Sequence, residues 1–346
     1  MEEKVRILMV MASPFRSGLA PENYIRAKAI YENPTTEVDI MCFPYGEDIE
    51  EINVHILRVP RKKLFKSFQI GEYKKIIVYT FFNHPVKEKK RDFITILDER
   101  LCLLDAAGIH TIYLAGLNKK FMSMTAEDFF DQELVGHLNV RSVVVGDSFR
   151  FGFNREGDAK LLKALGQKFG VNVEVLPALS VNGEEVSSTK IHDYIFKGDV
   201  ESANSLLGYS FFFTGDVIHG SGRGRLLGFP TANLAYKNGN KMLPKTGVYI
   251  TVVELEGTLR QSVTNVGYNP TFESDNRIRV EIHFLNTSED LYGKVVRLHF
   301  LRRIRDEKKF EKAQDLVKAM QNDVKITKKY FEENKISQIP ICLVKK

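Results

Sequence analysis

Residues Gly215–Asn233 read GDVIHGSGRGRLLGFPTAN, and the interpretation of the C-terminal part of the chain turns on them. Gly220, Gly222 and Gly224 can expose successive backbone N–H groups, because glycine turns without a Cβ in the way. Such a loop forms a nest for an anion, and Arg223 and Arg225 add fixed positive charge beside it. Phe229–Pro230 stiffens the chain that follows. Thr231 and Asn233 then present a hydroxyl and an amide oxygen on one face of an extended segment. Hard oxygen donors of this kind suit a Mg²⁺ ion that keeps its waters and bridges phosphates. Taken singly, a glycine-rich stretch also marks a hairpin and Thr-x-Asn also caps a turn. Side by side they point to phosphate binding.

Around this stretch the texture is that of short strands at close intervals. Phe211–Val217, Gly247–Leu255, Gln261–Val266, Arg279–Leu285 and Lys294–Phe300 are punctuated by Gly and Pro turns, which predicts an antiparallel barrel or sandwich. A polar helix over Glu307–Asn334 follows as a lid or buttress. Upstream of a boundary near residue 205 the rhythm differs. Strand-length runs at Val5–Ala12, Thr36–Cys42, Ile76–Phe82, Thr111–Ala115, Ser142–Val145 and Val171–Leu176 alternate with helical patterns, including Pro21–Glu32 and Asp98–Ala107. That alternation predicts a parallel sheet wrapped by helices. The division is an N-terminal segment 1–75, an α/β domain 76–204, a barrel 205–334 and a tail 335–346.

The Gly215–Asn233 string resembles the riboflavin kinase signature G-x-V-x-x-G-x-x-x-G-R-x-L-G-F-P-T-A-N, matched at Gly215, Val217, Gly220, Gly224, Arg225, Leu227 and all of Gly228–Asn233. Further matches follow in order: Leu243–Pro244, Gly247–Tyr249, Asn265–Gly267, Asn269–Phe272, Glu281, Tyr292–Gly293 and Phe300–Arg302. The resemblance implies a six-stranded Greek-key barrel in which Thr231 and Asn233 help hold Mg²⁺-ATP. It also implies that Glu281 takes the proton from a riboflavin hydroxyl. Phosphoryl transfer depends mostly on positioning and charge neutralisation, with one carboxylate to orient the attacking hydroxyl. Read alone, Glu281 in RVEIHFL is an outward strand residue between Val280 and Ile282.

Residues from about Ile76 to Ile195 resemble the nucleotidyltransferase-like adenylyltransferase domain of bifunctional bacterial FAD synthetases, which place it ahead of a riboflavin kinase in this order. The matches are Thr80–Phe81, His84–Pro85, Ala126–Phe129 after Thr125, Gly146–Gly152, Arg155, Gly157–Asp158 and Val186–Ile191. Carried over residue by residue, the resemblance implies a nucleotide site using His84, Asp147, Phe149, Arg150, Ser187, Ser188, Thr189 and Lys190. Ser187–Thr189 offer hydroxyls at a helix N-terminus, a natural phosphate site and equally a plain N-cap. Two departures stand out. His192 occupies the place where that family carries an arginine, and none of the eight histidines forms the family's His-x-Gly-His motif. The opening strand ILMVMAS, loop PFRSG, EVDIMCFPYGED and HILRVPR instead resemble the start of a GT-B glycosyltransferase. Such a segment can supply a substitute strand and helix to the sheet, with Ser13, Arg16, Ser17 and Gly18 near a phosphate.

Composition fits this picture. The 346 residues suffice for two domains, and a hydrophobic content of 43% supports sizeable cores. A net charge of +6 suits anionic small ligands, and the basic run Arg302–Arg305 reads as a solvated strand end rather than a nucleic-acid contact. Three scattered cysteines without metal-ligand spacing point to a reducing compartment. The apolar run Ile7–Ala12 is too short for a signal core or a membrane span, so a cytoplasmic enzyme without membrane or nucleic-acid partners is expected. Its expected ligands are riboflavin, FMN, ATP and Mg²⁺. Two other classes stay open at this point: a flavin- or nucleotide-binding protein without catalysis, and a sugar transferase directed by the N-terminal segment.

Overall fold

The computed structural model describes residues 5–8, 39–42, 75–81, 93–106, 111–115, 119–219, 224, 228–235, 241–268, 278–285 and 291–335. These fall into two compact units. The described residues up to Glu185, apart from Ile94–Ile96, form the first, and those from Val186 onward belong to the second.

The first unit is built on a parallel sheet. Its strands are β1 (Val5–Leu8), β2 (Asp39–Cys42), β3 (Lys75–Phe81), β4 (Thr111–Ala115), β5 (Ser142–Gly146) and β6 (Asn172–Leu176), in the order β2-β4-β3-β1-β5-β6. The short N-terminal strand β1 sits inside the sheet, paired with β3 on one side and β5 on the other. The N-terminal segment therefore supplies two strands, β1 and β2, where one substitute strand was expected; its Pro21–Glu32 helix and the PFRSG loop lie outside the described residues. Val143, Val144 and Val145 are all buried, as a strand covered on both faces requires. An aromatic core gathers beside them, with Tyr79 stacked on Tyr113 at 4.7 Å and Phe129, Phe130, Phe149 and Phe151 packed nearby. Helix α1 (Leu97–Ala106) follows the Asp98–Ala107 pattern closely. Helix α2 (Ala159–Phe169) starts on Asp158, whose carboxylate accepts from Leu161 N, and stops at the left-handed Gly170. A small hairpin, β7 (Ser180–Val181) and β8 (Glu184–Glu185), ends the unit.

The second unit opens with α3 (Ser188–Lys197) and α4 (Val200–Leu207), and then enters a closed barrel. Its strands are β9 (Phe212–Ile218), β10 (Ala232–Ala235), β11 (Gly247–Leu255), β12 (Thr258–Tyr268), β13 (Ile278–Phe284) and β14 (Val295–Arg305). Around the barrel they run β10-β13-β12-β11-β14-β9, every pairing antiparallel. The unit boundary lies upstream of the change in texture near residue 205, because α4 is tied to the barrel. Asn204 donates from Nδ2 to Phe300 O at 2.8 Å, and its Oδ1 accepts from Phe211 N at 2.6 Å.

Alternation sorts the barrel residues. Val280, Ile282, Leu234, Val217, Val296 and Leu298 are buried and line up through the register, while Arg279, Glu281 and His283 take the opposite face of β13. Thr251, Ser262 and Thr264 are buried too, and satisfy one another: Thr251 Oγ1 is 2.8 Å from Ser262 Oγ and 2.7 Å from Thr264 Oγ1. Helix α5 (Ala313–Glu333) closes the unit. Phe331 packs with Ile250, Val252 and Leu301, and Arg305 grips the buried Asp323 through both Nε and a terminal nitrogen, at 3.0 and 2.7 Å. The basic run at the end of β14 is thus paired: Arg302 with Glu201, Arg303 with Asp306 and Arg305 with Asp323.

Candidate active site

The residues of interest in the barrel meet through strand register. Asn233 on β10 lies directly opposite Glu281 on β13, which lies opposite Asn265 on β12. Residues opposite one another in an antiparallel ladder share a face, so three polar side chains from distant parts of the sequence stand in one row. Asn233 is buried and Glu281 half-buried. Arg279, two residues before Glu281 on the same face, donates from a terminal nitrogen to Glu281 Oε1 at 3.3 Å.

Thr231 enters from the turn that precedes β10. Phe229 N donates to Gly224 O at 2.8 Å, closing that turn, and Gly228 adopts φ of +82°. A Cβ on Gly224 would collide with the Phe229 carbonyl oxygen and come within 3.1 Å of Thr231 Oγ1. Only glycine fits there, which gives one of the signature glycines a steric reason. His283, on the face of β13 that carries Glu281, places Nδ1 3.0 Å from Pro230 O and meets the Phe229 ring at 5.2 Å. Gly220, Gly222, Arg223 and Arg225 lie outside the described residues.

The described residues hold no group of three or more His, Cys, Asp or Glu fit to cage a metal ion. What Thr231 and Asn233 offer is a hydroxyl and an amide oxygen. That donor set fits a hard cation completing its shell with phosphate oxygens and water.

The residues matched in the first unit are placed differently. Asp147 follows the carboxyl end of β5, where open parallel sheets bind ligands, and its side chain is exposed. Phe149 is buried and stacks on Phe151 at 5.4 Å, inside the aromatic core. Arg150 donates to Phe149 O at 2.8 Å. Burial, and then the nearby Glu133 carboxylate, push the Tyr79 and Tyr113 phenols well above their ordinary values. Ser187 is the N-cap of α3, its hydroxyl accepting from Lys190 N at 3.3 Å, so the plain-cap reading describes its bond. Ser188, Thr189 and Lys190 form the first turn of α3, in the second unit. His84 lies outside the described residues. The helix start after Thr125 is as expected: Thr125 Oγ1 accepts from Asp128 N at 3.0 Å, and the Glu156 carboxylate accepts from Ala126 N at 2.7 Å.

The riboflavin kinase family model matches residues 207–331, and the FAD synthetase model matches residues 64–190. The bifunctional riboflavin kinase/FMN adenylyltransferase of Bacillus subtilis is 33% identical over 281 residues, covering 78% of this chain and 88% of the relative. The chain belongs to that bifunctional family. A second member, from Buchnera aphidicola, is 31% identical over 81% of this chain and 91% of its own length. Among solved structures, a Streptococcus pneumoniae protein described as a macrolide-efflux protein superposes with a TM-score of 0.67 at 32% identity, covering 73% of this chain and 83% of that one. The chain is a riboflavin kinase, a phosphotransferase, and ATP with riboflavin or FMN are the substrates of its family. Neither the binding-only reading nor the sugar transferase is favoured by these matches. No helix among the described residues is long and apolar enough to cross a membrane.

Arg279 and His283 were missed by reading the sequence for motifs. The signal was present, since both share the alternation that turns Glu281 outward from RVEIHFL.

Proposed function

We propose that the barrel phosphorylates riboflavin with Glu281 as the base and with Thr231 and Asn233 as donors to the metal and the phosphates. The observation that carries this reading is the register of Asn233 opposite Glu281. A phosphate-side donor and a carboxylate thereby face the same patch. In the reaction, a Glu281 oxygen accepts the proton of the riboflavin hydroxyl while the hydroxyl oxygen bonds to the γ-phosphorus, and the γ-phosphorus–oxygen bond to ADP breaks. The Arg279 contact to Oε1 holds the carboxylate in orientation and leaves its second oxygen for the proton. Thr231 Oγ1 and the Asn233 amide oxygen would hold Mg²⁺, which would supply positive charge to the ATP phosphates. Gly220, Gly222, Arg223, Gly224 and Arg225 are assigned to the phosphate grip on their residue types. By sequence the adenylyltransferase-like part is 76–204 and the kinase 205–334, with 1–75 and 335–346 flanking them, while helices α3 and α4 belong to the compact unit of the barrel.

The family's other reaction, transfer of AMP to FMN, is slowed in this chain under the same reading. Its residue set is Asp147, Phe149, Arg150, Ser187, Ser188, Thr189 and Lys190 with His84, and it has no His-x-Gly-His to act on the triphosphate. Losing donors aimed at developing charge typically costs about 10²–10³ in rate.

The test of the kinase site is Glu281→Gln, which keeps the shape and removes the base. FMN formation should fall about 10²–10⁴-fold with ATP binding retained. A turnover equal to that of the unmodified chain would remove Glu281 from the mechanism.

A further inference from the structure

On the outward face of β13 the mechanism uses Glu281 and its neighbour Arg279, and it leaves His283 without a role. The ladder between β10 and β13 runs Leu234↔Val280, Asn233↔Glu281, Ala232↔Ile282 and ends there. The next position would set Thr231 against His283. There the backbone pairing is replaced by a side-chain bond, His283 Nδ1 to Pro230 O at 3.0 Å. A carbonyl oxygen has no hydrogen to give, so Nδ1 carries the proton and donates. The same ring meets Phe229 at 63° with centroids 5.2 Å apart, and Phe229 is the residue whose N–H closes the turn onto Gly224. His283 thus touches the two residues immediately before Thr231 with two different interactions, from the strand that bears Glu281.

We propose that His283 is a positioning residue of the kinase site. Its Nδ1–H bond to the Pro230 carbonyl pins the turn that carries Thr231 to the strand that carries Glu281, and so sets the spacing between the phosphate-side hydroxyl and the base. This rests on the assignment of Thr231, Asn233 and Glu281 made above. The physical need is plain. Thr231 stands just beyond the last paired residue of a four-residue strand, and Pro230 has no N–H with which to extend the ladder. Without the side-chain bond, the Gly224–Phe229 turn is left to hold the hydroxyl in place.

Two substitutions separate the bond from the packing. His283→Phe keeps a ring against Phe229 and removes the donor. His283→Asn removes the ring and puts an amide N–H where Nδ1 stood. Steady-state FMN formation by the full chain is measured with Mg²⁺-ATP and riboflavin varied in turn, alongside thermal unfolding. His283→Phe should raise KM for Mg²⁺-ATP about tenfold, the scale of one lost hydrogen bond, with KM for riboflavin nearly unchanged. His283→Asn should recover most of that loss. A purely structural role predicts no such split and no rescue. Equal KM values for Mg²⁺-ATP in the two variants, whether raised or unaltered, overturn the proposal. If His283→Phe does not fold, a folded His283→Asn decides alone: near-native KM supports the pin, and a tenfold rise overturns it. Thr231→Ala distinguishes the two levels of failure. If it leaves KM for Mg²⁺-ATP unchanged, the site assignment fails and the pin with it. If it raises that KM while His283→Phe does not, only the pin fails.

Discussion

The two units carry sequence matches of similar density, yet the matched residues end up in different kinds of places. In the barrel, Asn233, Glu281 and Asn265 stand in one row across three neighbouring strands, and Thr231 enters beside them through a turn that only Gly224 permits. In the parallel-sheet unit, Phe149 is a core residue stacked on Phe151, and Arg150 is bonded to the backbone oxygen of Phe149. Ser187, at the start of the second unit, caps a helix. On the site proposed above, a family motif mixes residues that meet substrate with residues that shape the fold. Burial and hydrogen-bond partners separate the two kinds.

Substitutions can break or sharpen this contrast. The largest effect is expected from Phe149→Ala. Emptying a ring-sized volume from the aromatic core should cost about 3–5 kcal/mol of stability in the first unit, read as a lowered denaturation midpoint. Loss of FAD formation at full stability would instead make Phe149 a ligand contact. Next comes Gly224→Ala. The added methyl collides with the Phe229 carbonyl and crowds Thr231, so the turn must open. The expected penalty is about 1–3 kcal/mol, felt mainly as weaker Mg²⁺-ATP binding in a folded barrel, measurable by calorimetry. Unaltered ATP affinity would show that the turn is not part of the site.

A smaller effect concerns pH. His299 is fully buried in the barrel unit, near Phe212 and 3.4 Å from Glu254, which also pairs with Arg297 at 2.9 Å. Burial pushes the His299 imidazole below its ordinary value and outweighs the pull of the Glu254 carboxylate. Burial also acts to raise Glu254, but His299 and Arg297 outweigh it and hold that carboxyl below its usual range. Because the folded chain resists protonating His299, the unfolded chain binds more protons as pH falls below about 6.5. Stability should be full above that value and decline as the pH falls toward 5. Unfolding midpoints at pH 7.5 and 5.5 check this, and His299→Gln should flatten the slope. A midpoint that rises on acidification would contradict the sign.

Much of the fold was legible in the sequence, for identifiable reasons. Thr111–Ala115 and Gly247–Leu255 have the bounds read from their apolar runs. Strand β12 is longer than its apolar stretch Gln261–Val266. It begins at Thr258, directly after a two-residue turn in which Glu256 and Gly257 both take positive φ. Such a turn is usually announced by Asn-Gly or Asp-Gly, and a glutamate hides it. Strand β14 runs on to Arg305 through a basic run that lacks hydrophobic alternation, because each arginine there finds an acidic partner. The C-terminal helix starts at Ala313, later than Glu307, after a charged segment with no side-chain cap. Ala232–Ala235 is too short to show a period, and its pairing with β13 spans a stretch of sequence no local pattern bridges. Only the family signature placed Asn233 and Glu281 in one site. His283 shares the outward face of Glu281 in the alternation of RVEIHFL, but its bond to a backbone oxygen leaves no mark on residue types.

We propose that a working kinase site and a slowed adenylyltransferase site share this chain. This is tested most directly by incubating the purified protein with riboflavin, excess ATP and Mg²⁺ and following FMN and FAD by chromatography. The account predicts that FMN accumulates first and that FAD trails it by about a hundredfold or more in rate. FAD appearing as fast as FMN would contradict the slowed site, and a folded protein that forms no FMN would contradict the kinase.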